Sequence, residues 1–126
     1  MQLFEVGDFT LASGASSGWK IECDALSDQD WDGVALMLVE CIRPFDEVWG
    51  VPTGGVPFAK ALKKYSRKGF GPLVVDDVWT TGGSMRSYID MMGKLTADCQ
   101  SAVLFARNPV PNWVTALFTM PPALRL

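Results

Sequence analysis

Apolar and polar positions along the chain switch between a period of two and a period near 3.6. Close to the N-terminus, "FTLASG" (9–14) and "GWKIEC" (18–23) alternate around Gly14 and predict two short strands joined by a turn. The period then lengthens. Trp31, Val34, Ala35, Leu38 and Ile42 recur at helical spacing. Ser27 precedes them as a cap, with Asp28 and Asp30 in the first turn, where carboxylates suit the helix dipole. Pro44 is expected to stop this helix.

"DEVWGV" (46–51) predicts a strand, and Val56 to about Lys68 a helix. Lys63, Lys64, Arg67 and Lys68 lie towards its C-terminal end, again as the dipole favours. Gly69, Gly71 and Pro72 punctuate the chain before a buried strand, "LVVDDV" (73–78). Ser84 to about Leu95 predicts another helix, and "SAVLFA" (101–106) a third apolar strand. Beyond Asn108 prolines and aromatics interrupt any period. Strands that alternate with helices imply crossovers and a parallel sheet, so an α/β fold is expected. Ligands of such sheets bind at the carboxyl ends of the strands. That rule selects two loops, after Val51 and after Asp77.

Composition narrows the chemistry. The chain has 126 residues, 48% hydrophobic and 20% charged, as expected of one globular domain. Its net charge of −3 argues against broad nucleic-acid binding, which needs a basic face. There is no histidine, which excludes a Cys/His zinc site, a Ser-His-Asp triad and a Cys-His pair. Cys23, Cys41 and Cys99 are odd in number and far apart, and read as buried, reduced thiols of a cytoplasmic protein. No apolar run approaches the about 18 residues of a membrane span, and no signal peptide is visible.

The first loop, "GVPTGGVP" (50–57), has the glycine spacing of a P-loop. Val56 and Pro57 stand where that motif needs Lys and Ser/Thr, so the nucleoside triphosphate reading fails. What remains is a Gly-Gly turn whose N–H groups could face an anion, or simply a tight turn. In the second loop Asp76 and Asp77 sit where a strand ends, and Thr80, Thr81, Gly82, Gly83 and Ser84 lead into a helix N-terminus. Orphan N–H groups and hydroxyls make that terminus a phosphate cradle. The competing reading makes Ser84 a helix cap and the aspartates solvated. Carboxylates beside a phosphate repel it unless they hold hydroxyls or a cation of the same ligand. A sugar phosphate with a second anion at the Gly54-Gly55 turn, and Mg²⁺ between, satisfies both requirements.

"LVVDDVWTTGGSM" (73–85) resembles the phosphoribosyl pyrophosphate motif of type I phosphoribosyltransferases. "VWGVPTGG" (48–55) resembles their pyrophosphate loop. "FTLASGASSGWKIECD" (9–24) is similar to a stretch of the orotate phosphoribosyltransferases. The matches follow the family order. The resemblance implies a parallel-sheet core with helices on both faces and a small N-terminal β hairpin. It divides a single domain into a hood-like segment (1–26), an α/β core (27–107) and a variable tail (108–126).

By that resemblance Asp76 and Asp77 hold the ribose hydroxyls, directly or through Mg²⁺, as catalytic and metal-binding residues. Thr80, Thr81, Gly82, Gly83 and Ser84 wrap the 5′-phosphate, and Thr53, Gly54 and Gly55 take the pyrophosphate. Ser13 and Arg107 contact the base, Arg107 through its planar fork on a carboxylate, unless Arg107 is simply a surface arginine at a strand end. The implied reaction displaces pyrophosphate from the ribose by a nucleobase, orotate-like, in a homodimer, with no nucleic-acid or membrane partner. Because its transition state is oxocarbenium-like, positioning and charge stabilisation suffice without a histidine.

The chain departs from the family at three places. Ala12 stands where orotate enzymes usually carry lysine. The 17 residues from Val56 to Pro72 leave no room for the basic lid loop of the family. The tail "PVPNWVTALFTMPPALRL" has no counterpart; its Trp113 and Phe118 could cover a base, or pack the core or a second subunit. Without a lid, water reaches the reacting carbon. A lid-less module that binds phosphoribosyl pyrophosphate or a nucleotide with little catalysis is therefore the alternative. A partner-binding domain with a vestigial site is a weaker one.

Overall fold

The computed structural model describes residues 1–11, 14–93 and 99–120. Two antiparallel strands, β1 (Phe4–Thr10) and β2 (Ser16–Ile21), form the N-terminal hairpin. β1 begins five residues earlier than the alternation at Phe9 implies, because Phe4, Glu5 and Val6 pair with Ile21, Lys20 and Trp19 before a bulge. Lys20 holds Glu5 across the hairpin at 3.2 Å and Glu22, two residues further along its own arm, at 3.3 Å.

Helix α1 (Asp28–Val39) starts as expected at Ser27. The Ser27 hydroxyl accepts the Asp30 N–H, and the Asp30 carboxylate accepts the Ser27 N–H, a reciprocal capping box. The helix ends before Pro44, and Ile42 lies beyond it, packed against the core edge. Strand β3 (Glu47–Gly50) follows, then α2 (Val56–Leu62). The α2 helix is shorter than expected, because Lys63–Tyr65 tighten into a 3₁₀ turn. The Arg67 N–H is then captured by the Phe45 carbonyl at 2.8 Å, which draws the chain off the helix axis.

Strand β4 (Pro72–Trp79), helix α3 (Gly83–Met92), strand β5 (Gln100–Ala106) and strand β6 (Val114–Thr119) complete the fold. The last three predicted segments shift only at their ends; Leu95 lies outside the described residues. β6 is the element that the pattern concealed. It pairs parallel to β5, with Val103 opposite Ala116 and Phe105 opposite Phe118. The sheet order is β3-β4-β5-β6, all parallel.

Strand alternation splits the core in two. Leu73, Val75, Ala102 and Leu104 face α1 and α2, meeting Trp31, Leu38, Phe58 and Leu62. Val74 and Val103 face the opposite side, with Met85 and Ile89 of α3. Helices therefore cover both faces, as buried parallel strands require. The three cysteines form no disulfide with one another; Cys23 is buried, but Cys41 is exposed, contrary to the expectation that all are interior. No helix among the described residues is long and apolar enough to cross a membrane.

Candidate functional site

The two carboxylates do not sit at the strand end. β4 continues past them to Trp79, since Val78 and Trp79 still pair with Phe105 and Ala106. Being adjacent on a strand, they point to opposite faces. Asp76 follows Val74 towards the α3 side, where it helps line a small cavity of about 130 Å³ with Thr80, Thr81, Gly83 and Ser84. Asp77 points to the α2 side. A Cβ added at Gly54 would lie 2.5 Å from its Oδ2, so the Gly54 backbone rests directly on the carboxylate. The structure thus sends one acid to each of the two predicted anion loops.

Asp76 is 8% exposed. Its Oδ1 accepts the Asp77 N–H at 2.8 Å, and Asp77 Oδ1 accepts the Val78 N–H at 2.8 Å. Burial above all, then a hydrogen bond to the Asp77 side chain and that group's charge, push the Asp76 carboxyl up to about 8. A pair that retains a proton near neutrality is a pair that a cation or ligand hydroxyls would relieve.

The loop 51–55 is tied to the sheet. Val51 N–H donates to the Val75 carbonyl and Gly55 N–H to the Val51 carbonyl, each at 2.9 Å. The Val56 N–H donates to the Thr53 carbonyl, and the Pro52–Thr53 peptide is cis. The N–H groups of Gly55 and Val56 are thus used inside the turn, and an anion there would have to draw on those of Thr53 and Gly54. Gly50 and Gly55 touch so closely that a side chain at Gly50 would strike the Gly55 carbonyl.

In the second loop Ser84 is not the cap. Gly82 is, with φ +82°, and no side chain caps α3. Ser84 lies inside the first turn, which leaves its hydroxyl and the first helical N–H groups for a ligand. Asn108 Nδ2 donates to the Thr80 carbonyl at 2.7 Å, and Arg86 Nη1 to the Thr81 carbonyl at 2.9 Å.

No protein-family model matches the chain. Its sequence is similar to curated orotate phosphoribosyltransferases. That of Cereibacter sphaeroides is 30% identical over 142 aligned residues, covering 86% of this chain and 61% of the relative. That of Sulfurisphaera tokodaii is 29% identical over 119, covering 72% and 60%. The chain spans about three-fifths of the length of these curated relatives. The longer alignment exceeds the chain's own 126 residues, so that relative carries insertions within the matched region.

Among solved structures, orotate phosphoribosyltransferase from Aeropyrum pernix superposes with a TM-score of 0.75 at 24% identity, covering 94% of this chain and 88% of that one. The Mycobacterium tuberculosis H37Rv enzyme gives 0.70 at 15% identity, covering 93% and 89%. The chain has the type I phosphoribosyltransferase fold. It resembles the orotate phosphoribosyltransferases over most of its length and is shorter than they are.

On that fold, the predicted site residues fall into three groups. Asp76, Asp77, Thr53, Gly54, Gly55 and the 80–84 loop converge at the carboxyl end of β3 and β4. Ser13, like Ala12, lies outside the described residues. Arg107 does not stand free in the site: its Nη2 donates to Ser17 Oγ at 2.7 Å and to the Trp19 carbonyl at 3.2 Å. Its guanidinium lies 3.7 Å over the Trp19 ring, so it clamps the hairpin to the core. Residues 63–71, where the family lid would be, hold one 3₁₀ turn and no strand. Arg86, Asn108 and Trp79 support the 80–84 loop, and the sequence did not single them out for it. "NP" after a strand and an arginine in a helix carry no signal of such contacts.

Proposed function

We propose that the chain transfers ribose 5-phosphate from phosphoribosyl pyrophosphate to a nucleobase, an orotate-like pyrimidine, with Mg²⁺. The observation that carries this reading is the division of the acid pair: Asp76 borders the hydroxyl-rich cradle, and Asp77 lies under Gly54 of the other anion loop. A ribose with phosphate at one end and pyrophosphate at the other matches that order. The similarity to curated orotate phosphoribosyltransferases supports the same reaction.

Among the described residues no cluster of three or more Cys, Asp or Glu forms a protein cage for a metal. Two carboxylates fit Mg²⁺, which usually keeps waters and takes its other ligands from phosphates. Held by one of these acids together with the donor's own phosphates, it would neutralise the pyrophosphate as it leaves. The protein's own part is to hold the sugar between its loops and present the reacting carbon to the base.

A homodimer belongs to the same proposal. Exposed Phe4, Met37 and Phe118 border an open apolar groove of about 890 Å³ that a second copy would cover. Sedimentation equilibrium tests it, with a dimer mass expected. One observation favours a second reading: the short 63–71 link supplies no cover, which suits a module that binds the donor with little turnover.

Pyrophosphate release decides between them. Protein, Mg²⁺ and phosphoribosyl pyrophosphate are mixed with orotate, uracil or purines, and base-dependent release is expected with orotate. Tight donor binding without release on any base selects the binding module. Replacing Asp76→Asn together with Asp77→Asn is expected to weaken donor binding at least about ten-fold, as loss of charge-assisted contacts does. Unchanged affinity would remove the acid pair from the site.

A further inference from the structure

The cradle at 80–84 is shaped from outside. Three successive carbonyls are engaged by protein donors: Thr80 by the Asn108 amide, Thr81 by Arg86 Nη1, and Gly82 by the Arg86 N–H at 3.0 Å. In a trans peptide the carbonyl and the following N–H point in opposite directions. Pinning these carbonyls therefore turns the N–H groups of Thr81, Gly82 and Gly83 away from Asn108 and Arg86. An anion needs several such N–H groups aimed at one point.

Arg86 is itself held. Its guanidinium carbon lies 5.2 Å from the Trp79 ring centroid and 5.7 Å from that of Trp113. The two indoles meet edge to face, 6.0 Å apart at 75°. The Trp79 ring also fills the space where a side chain at Gly82 would go. Trp113 comes from the tail, one residue before β6, so the tail reaches the cradle through Arg86. The arginine is exposed, yet its side chain holds the middle one of the three carbonyls, a placement that helix solvation alone does not require.

We infer that Arg86, seated on Trp79 and Trp113, is a positioning residue that keeps the 80–84 loop in its anion-binding shape and so sets affinity for the 5′-phosphate end of the donor. The inference rests on the proposed function above. It assigns Arg86 no contact with the sugar; the residue acts through the Thr81 carbonyl.

Calorimetry with two probes in Mg²⁺ buffer tests it. Ribose 5-phosphate reports the 80–84 cradle, and inorganic pyrophosphate reports the 53–55 loop. In Arg86→Met the affinity for ribose 5-phosphate is expected to fall about ten-fold, the worth of one hydrogen bond from a charged group. Pyrophosphate affinity stays at the wild-type value. Arg86→Lys recovers part of the loss, because an ammonium can still donate to the carbonyl and sit over the rings. Trp113→Leu lowers ribose 5-phosphate affinity in the same direction, and being a half-exposed site it also serves if Arg86→Met does not fold. Unchanged ribose 5-phosphate binding in Arg86→Met or in Trp113→Leu overturns the inference and leaves the proposed function standing. Equal loss for both probes also overturns it, since the effect would be general. If wild-type protein binds neither probe, the proposed function fails and the inference with it.

Discussion

At the scale of single residues, strand geometry separates two neighbouring acids. Asp76 and Asp77 are adjacent in sequence and lie beside different loops, one on each side of β4. Their contact has a consequence for stability. The Asp76 carboxyl ordinarily titrates at 3.8 and in the folded chain is pushed up to about 8, mainly by burial. Between these values the unfolded chain has released a proton that the native chain keeps. Stability from this group is full below 3.8 and is lost as pH rises towards about 8. The melting temperature is therefore expected to fall over that range, and Asp76→Asn to flatten the fall. Thermal melts of the two proteins at matched pH check this. Added Mg²⁺, favouring the ionised pair, should also flatten it. The identity of these acids was legible because adjacent carboxylates on a buried strand have no packing role. Their proton was not legible, since it depends on burial that only the surrounding helices impose.

At the scale of elements, the β4–loop–α3 unit shows how local chemistry and tertiary contact divide the work. The glycines of "TTGGS" announce a turn of unusual backbone, and Gly82 does adopt a left-handed φ of +82°. The sequence does not reveal that the Trp79 indole lies against it. Gly82→Ala meets both obstacles. It is expected to destabilise the fold by about 1–3 kcal/mol from backbone strain alone, and to weaken phosphate binding as the loop shifts. Urea unfolding gives the first effect and ribose 5-phosphate titration the second. Helix α1 was readable almost to the residue at its start, because Ser27 and Asp30 cap it locally. Its end, and that of α2, were not, because long-range partners such as the Phe45 carbonyl decide where the chain leaves. β6 was hidden for a related reason: "VTALFT" is a strand only beside β5.

At the scale of the whole molecule, helices cover both faces of the sheet, and the two glycine loops with Asp76 and Asp77 lie together towards its carboxyl end. The link from α2 to β4 crosses in one 3₁₀ turn. With no inserted lid on that path, a sugar held there would be open to solvent. Slow, base-independent hydrolysis of phosphoribosyl pyrophosphate is expected beside transfer. Measuring ribose 5-phosphate formation with the base omitted tests this, and its absence would mean that the tail or a second copy closes the site. Arg107 shows another contribution of the assembled chain. Its Nη2, on a guanidinium expected to meet a base, donates to Ser17 Oγ and to the Trp19 carbonyl and fastens the hairpin.

The sequence was enough for the α/β class, the order of strands and helices through β5, and the glycine turns and hydroxyls of the two loops. These are set by periodicity, caps and glycines, interactions that act within a few residues. Tertiary structure alone decided which face each aspartate serves, that the tail adds a strand, and that Arg86, Asn108 and Trp113 brace the cradle. Those outcomes come from groups distant along the chain, and the energy that selects them exists only once burial and pairing have brought the groups together.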